Sequence, residues 1–165
     1  MAVYINQNFS VYQHILPDTS RNIFSNNGQM LAHWCASIEK EIINQSIPLT
    51  LFVGFQKLDH FVPMMERYKS IAQVANHVYV FGEPSEKVKA IPNITYVHLA
   101  HHAQLRNEWF LVAYHKDYAR ALIALETTPS QKPHHERTFK GVLTSDAEMI
   151  LPIYQQLTER VSPLV

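Results

Sequence analysis

Apolar positions recur with helical spacing in three parts of the chain. Residues 30–43 carry an apolar side chain every three or four positions, which places these side chains on one face of a helix. The Asn-Asn-Gly sequence at 26–28 predicts the start of this helix. The same spacing returns at 61–74, where Pro63 is tolerable in the first turn. The same spacing also follows Ser145 and Asp146, either of which can cap a helix that runs to Val161. We therefore predict three helices.

Short apolar runs between these segments predict strands. The runs at 49–54, 77–81 and 94–98 alternate with helical segments, which favours parallel strands covered on both sides. The segments 109–115 and 120–126 flank a short polar turn and predict an antiparallel β-hairpin. We therefore predict an α/β fold, with a mixed sheet of parallel N-terminal strands and an antiparallel hairpin, and with helices packed on both faces.

The remaining segments complete this plan. Residues 1–27 are interpreted as an N-terminal arm and 28–163 as a single domain. The crossover at 82–93 has room for about two helical turns. Residues 127–139 are polar and contain proline, which predicts a surface loop. The sequence at 140–144 predicts one more short strand.

Composition excludes several function classes. The chain has 165 residues, 47% of them hydrophobic and 17% charged, as expected of one globular domain. Lysine plus arginine and aspartate plus glutamate both number 14, so no basic surface for nucleic acid is expected. The apolar runs are too short to cross a bilayer, and the N-terminus lacks a signal-peptide pattern. With its single cysteine, Cys35, on a helical pattern, the chain is expected to be cytoplasmic.

Three closely spaced histidines, His98, His101 and His102, raise the question of a metal site. Histidines at this spacing on a helix can hold a divalent ion, but no acidic residue or cysteine lies among them. We expect a polar strand end instead, and no metal. Glu39 and Glu41 are interpreted as the solvated side of a helix. Glycine-rich phosphate loops and nucleophile elbows are absent, so no cofactor and no enzymatic activity are expected.

Several stretches together resemble a known family. They are PLTLFVGFQ, VYVFGEP, ITYVHL, NEWFLVAYHKDYARALIALE and RTFKGVLTSDAEMI, which fall in order within about residues 28–160. This set resembles the DICT domain, a sensory module found beside diguanylate cyclase, phosphodiesterase and histidine kinase domains, notably in cyanobacteria. The resemblance implies a role in sensing a signal, and it supplies no catalytic residues.

The carboxyl ends of the parallel strands are the expected place for a ligand. In open α/β sheets, ligands bind in the crevice outside these ends. We expect two aromatic walls and three polar contacts there, one of them a histidine that makes binding depend on pH near neutrality. These residues are Phe55, Phe81, Gln56, Glu83 and His98. The other interpretation is that the aromatic residues belong to the core and the strand ends only form turns.

Two hypotheses for function follow. The first is a sensory or regulatory module of bacterial signal transduction, such as a two-component system, that binds a small ligand or a protein partner. The alternative is a non-catalytic interaction protein that docks on a larger assembly without a ligand. The expected partners are a signalling output protein or domain and a second copy in a homodimer. Docking is expected through the apolar last helix and an exposed edge of the hairpin.

Overall fold

The protein is built around one eight-stranded mixed sheet. A computed structural model describes residues 3–4, 9–15, 23–128 and 136–161. The strands are β1 (Val3–Tyr4), β2 (Phe24–Asn27), β3 (Thr50–Lys57), β4 (His77–Glu83), β5 (Ile94–His98), β6 (Glu108–His115), β7 (Tyr118–Glu126) and β8 (Thr138–Thr144). The α-helices are α1 (Gly28–Gln45), α2 (Met65–Val74) and α3 (Ala147–Val161). The strand order is β1-β5-β4-β3-β6-β7-β8-β2.

The predicted strand directions are confirmed. β4 pairs in parallel with both β3 and β5, and β6 and β7 form the antiparallel hairpin. β6 also pairs antiparallel with β3, and β7 with β8, so the hairpin lies in the middle of the sheet. The expectation that the hairpin would end the sheet was wrong. Local sequence patterns identify the strands of a hairpin but not the distant strands that flank it.

The N-terminal part of the chain contributes to both edges of the sheet. β1 pairs in parallel with β5 at one edge, and β2 pairs antiparallel with β8 at the other. Both strands fall within the segment 1–27, where no strand was predicted. β1 is only two residues long, and β2 has the sequence FSNN with one apolar side chain, so neither produces a strand pattern in the sequence.

Two connections differ from their predicted form. The crossover between β4 and β5 contains no helical turn. Pro84 and Pro92 favour extended backbone at the residues before them, which works against a helix in so short a segment. The segment 127–139 is not entirely a surface loop, because Arg137 and Phe139 are buried. Residues 129–135, with their two histidines, lie outside the described residues.

The helices begin close to where the sequence predicts. The side chain of Asn27 caps α1 by accepting a hydrogen bond from the Met30 N–H at 2.9 Å, and Ser46 ends it with a left-handed φ of 50°. Asp146 precedes α3 and accepts from the Glu148 N–H at 3.0 Å. The predicted helix at 61–74 is regular only from Met65, after two short 3₁₀ turns.

Side chains of the sheet alternate between two hydrophobic clusters, one on each face. α1 and α2 pack on the first face, which we call the α1–α2 face; α3 and residues 9–15 pack on the second, the α3 face. Consecutive strand residues such as Leu51 and Phe52 belong to different clusters, as the pleat of a strand requires. Neighbouring residues at a strand end therefore face different helices.

Glu108 holds the segment 9–15 against the α3 face. Its carboxylate accepts hydrogen bonds from the Ser10 hydroxyl at 2.5 Å and from the Tyr12 N–H at 2.8 Å. The apolar side chains of the segment are buried beside it: Phe9, Val11, Tyr12 and Ile15. Burial raises the pKa of Glu108 to about 7, although these hydrogen bonds oppose the shift.

We predict that Gly141→Ala destabilises the protein by about 1–3 kcal/mol. A Cβ at this position in β8 would overlap the carbonyl oxygen of Ile123 and the backbone of Ala124, which the paired strands hold in place. Urea denaturation measures the loss. Lys140→Ala, at the exposed neighbouring position, serves as the control and is expected to change stability little. Equal stability of the two variants would mean that β7 and β8 are less closely paired than described.

We also predict that Glu108 makes stability fall as pH rises. Its pKa is raised from the ordinary 4.5 to about 7, so the folded state holds the proton more tightly than the unfolded state does. The stabilisation is complete below about pH 4.5 and is lost by about pH 7, amounting to up to about 3 kcal/mol. Glu108→Gln is expected to remove this slope from denaturation curves. Glu159→Gln, exposed on α3, should retain it; an unchanged slope in Glu108→Gln would contradict the assignment.

Candidate functional site

A cavity opens on the α1–α2 face where the two helices pass over the ends of β3 and β6. We call it the α1–α2 cavity; its volume is about 70 Å³. Its lining consists of Ala32, Cys35, Glu39, Phe55, Gln56, His60, Met64, Arg67 and Trp109. Most of this lining is apolar, and the polar groups come from only a few side chains.

The lining divides into a buried floor and an open mouth. The floor residues Cys35, Glu39, Gln56 and Trp109 are buried. The mouth residues are the exposed His60 and the half-buried Met64 and Arg67. A molecule that enters therefore passes basic and thioether side chains before it reaches the indole of the floor.

Local sequence spacing explains why these side chains converge. Residues 32, 35 and 39 are three or four positions apart and form one strip along α1. Gly54 of β3 pairs with Phe110 of β6, so the adjacent residues Phe55 and Trp109 come to the same place in the sheet. The strip on α1 thus faces two aromatic residues from the centre of the sheet.

A buried carboxylate in the floor of the cavity joins the two helices. Glu39 of α1 is 2% exposed, and it accepts hydrogen bonds from the Arg67 guanidinium at 2.6 Å and from the Tyr68 hydroxyl, both in α2. Burial raises the pKa of Glu39, although Tyr68 and Arg67 both favour its ionised form. The interpretation of Glu39 as a solvated helix residue was wrong, because it continues the buried strip of α1 four residues after Cys35.

Cys35 is held as a neutral thiol. It is buried, and burial together with the nearby Glu39 carboxylate raises its pKa well above the ordinary value. The thiolate is the reactive form of cysteine, so this environment makes Cys35 a poor nucleophile.

Gln56 forms the rigid side of the cavity. Its φ is 68°, in the left-handed region, at the point where the pairing of β3 with β4 becomes irregular. Its amide donates to Glu126 at 3.0 Å and accepts from Arg137. Arg137 also donates twice to Glu126, at 2.7 and 2.8 Å. Burial opposes ionisation of Glu126, but the hydrogen bonds from Arg137 and Gln56 outweigh it and lower its pKa.

The structure brings together only some of the residues predicted to bind a ligand. Phe55 and Gln56 both line the α1–α2 cavity. Phe81 is fully buried on the α3 face, where its ring centroid lies 5.4 Å from that of Phe110. Because Gly54 pairs with Phe81, Phe55 is one residue out of step with it and points to the opposite face. The two predicted aromatic walls therefore do not face one another.

The other two predicted residues lie at the ends of β4 and β5. Glu83 pairs with the buried Arg106 at 2.8 Å and with His101 at 2.7 Å. Burial opposes ionisation of Glu83, but these partners lower its pKa. His98 is the last residue of β5, as predicted, and burial lowers its pKa. This polar group is separate from the lining of the α1–α2 cavity.

Sequence reasoning missed Arg67 and did not single out Trp109 from the other aromatic residues of apolar runs. A signal for Arg67 existed, because it follows Met64 by three residues on the helical pattern. Among the residues that the structure describes, no group of three or more His, Cys, Asp or Glu is arranged to hold a metal ion. Within that same part of the chain, no helix has the length and apolar character needed to span a membrane.

Comparison with known proteins places the fold and the family. The structure is similar to the crystal structure of polyphosphate kinase from Porphyromonas gingivalis, with a TM-score of 0.51 and 9% sequence identity. The match covers 86% of this chain but only 23% of that one, so it supports a shared fold alone. No curated protein matches the sequence. Residues 8–127 match the family described as a sensory domain in diguanylate cyclases and two-component systems. The chain belongs to this family, the DICT domains.

Proposed function

We propose that this domain is a sensory module that binds a small ligand in the α1–α2 cavity and regulates a signalling output protein or domain. The observation that carries the proposal is the cavity itself, which combines a buried indole and a phenyl ring with a few fixed polar groups. Ligand sites in proteins have this composition. The proposed role is binding without catalysis, which agrees with the neutral Cys35 thiol and with the sensory description of the family. The cytoplasmic location remains a prediction.

The arrangement of the cavity suggests how binding could be transmitted. A ligand shifts a conformational equilibrium only if it binds the two states with different affinity. One side of the cavity is fixed by Gln56 and its buried partners, whereas the other is formed by two helices joined through Glu39 and Arg67. We propose that a ligand changes the position of α1 relative to α2. The predicted ligand contacts of three further residues are untested. These residues are Phe81, Glu83 and His98.

We predict that Ala32→Phe abolishes ligand binding without unfolding the protein. The larger side chain would occupy the cavity, which Ala32 lines from α1. Thermal-shift screening against a library of small metabolites measures the effect: stabilising compounds are expected for the natural sequence and none for Ala32→Phe. Ala36→Phe, one turn further along α1, is the matched control and should respond like the natural sequence. Compounds that stabilise Ala32→Phe equally would place binding elsewhere.

A specific observation also favours the alternative, a docking protein. The large apolar side chains most exposed among the described residues are Ile23, Met30 and Leu143, at 39–45%. All three lie near β2, which ends the strand order and carries neither charge nor proline to protect its edge. The apolar residues expected on α3 are instead buried or partly buried. We therefore propose the β2 end of the sheet for docking of an output protein or a second copy.

We predict that Leu143→Asp weakens any such association about tenfold or more, because a buried leucine contributes about 1.5–3 kcal/mol to an interface. Sedimentation velocity measures self-association, and a binding assay with the output protein measures docking. Gln155→Asp, exposed on α3, introduces the same charge and is expected to have no effect. If Leu143→Asp associates like the natural sequence, the β2 end is not the interface.

A further inference from the structure

Resting on the proposed function, we propose that the ligand of the α1–α2 cavity is a small carboxylic acid with an apolar body, whose carboxylate binds the Arg67 guanidinium. The apolar body would lie against Trp109 and the carboxylate would stay at the mouth.

The floor of the cavity indicates that the ligand has an apolar body. Trp109 is 9% exposed, and Phe55 of the adjacent strand lines the same cavity. About 70 Å³ of space is less than half of the roughly 150 Å³ of an apolar cavity that holds benzene, so only part of a small molecule fits inside. A ligand must therefore be small or extend through the mouth. A short chain with its polar end outward fits this space, and so does a single ring that lies partly in the mouth.

The hydrogen-bond donors of the cavity indicate that the ligand is an acid. The amide of Gln56 is already bonded at both its nitrogen and its oxygen. Both oxygens of Glu39 accept from α2. A guanidinium carries five N–H donors, and Arg67 uses one of them for the bond to Glu39 while its side chain remains 31% exposed. Arg67 is thus the main donor that a ligand meets, and a carboxylate is its best-matched acceptor.

A cationic ligand fits the same site less well. It would have to pass the Arg67 guanidinium at the mouth before reaching Glu39, whose oxygens are both engaged. A neutral amide would match the shape of an acid but would lose the charge-assisted hydrogen bonds. The geometry therefore separates acids from their neutral analogues.

Binding of an acid has a consequence for Glu39. The groups facing this carboxylate are Cys35 from its own helix, Arg67 and Tyr68 from α2, and beyond them Gln56 and His60 across the cavity. A second carboxylate at Arg67 would compete with Glu39 for the guanidinium and weaken their ion pair. Burial already raises the pKa of Glu39, so the displaced carboxylate takes up a proton. The ion pair between Glu39 and Arg67 is then lost while the hydrogen bond to Tyr68 stays, and the affinity for the acid falls as pH rises.

The test uses benzoate as the acid and benzamide as its neutral analogue of the same shape, with isothermal titration calorimetry on the whole chain. Benzoate is expected to bind at least tenfold more tightly than benzamide. Arg67→Gln should lower the affinity for benzoate at least tenfold, and Lys69→Gln, exposed in the same helix, should not. Since Arg67→Gln leaves Glu39 buried and unpaired, the double variant with Glu39→Gln repeats the comparison without a buried charge.

Proton uptake is measured by titrating benzoate in two buffers of different ionisation enthalpy. The natural sequence and His60→Gln are both expected to take up a proton, because Glu39 and not His60 receives it. Glu39→Gln is expected to bind benzoate with no proton uptake. If His60→Gln loses the uptake and Glu39→Gln keeps it, the role given to Glu39 is overturned.

The failure of this inference is distinguishable from the failure of the proposed function. Equal affinity for benzoate and benzamide, or no binding of either, overturns the acid class. The metabolite screen would still support a ligand site if other compounds stabilise the natural sequence but not Ala32→Phe. If no compound does so, the proposed function fails together with the inference.

Discussion

The buried hydrogen bonds of Glu39 are the interaction on which the organisation of the α1–α2 face depends. This carboxylate is 2% exposed and bonds to Arg67 and Tyr68, so it joins α1 to α2 beside the cavity. Burying a charge costs free energy, which the partner offsets only when the geometry of the pair is good. Removing the partner of a buried charge lowers the stability of a protein by about 3–5 kcal/mol. Under the proposed function, this joined arrangement exchanges with a separated one, and a ligand at Arg67 selects between the two.

The opposite side of the cavity supplies the fixed frame. Arg137 bonds to Glu126 and Gln56 at once, and all three side chains contact one another in the interior. The left-handed backbone of Gln56 is held in place by these bonds, since an isolated non-glycine residue in that conformation is costly. The sheet end is fixed by several buried hydrogen bonds, whereas the two helices are joined by one charged contact. The helices are therefore the movable part of the proposed sensor.

The sequence predicts local features of this fold well and distant ones poorly. Helical and strand periodicity locates α1, α3 and the strands 94–98 and 109–126, because each pattern arises within one element. The position of the hairpin in the sheet and the opposite orientation of Phe55 and Phe81 depend on register between strands, which no local pattern encodes. Gln56 was predicted for the site because it follows a strand end. Glu39 was misassigned, because a carboxylate on a helix is exposed far more often than buried.

The central claim, that a ligand enters the α1–α2 cavity, is tested most directly by ¹⁹F NMR of protein labelled with 5-fluorotryptophan. The chain has two tryptophans, Trp109 in the floor of the cavity and Trp34 outside it, packed against Phe24. Filtered small molecules from the source cells are added to the labelled protein. The resonance of Trp109 is expected to shift more than that of Trp34, which lies on α1 but does not line the cavity. An unchanged Trp109 resonance, or equal shifts of both, would contradict the claim.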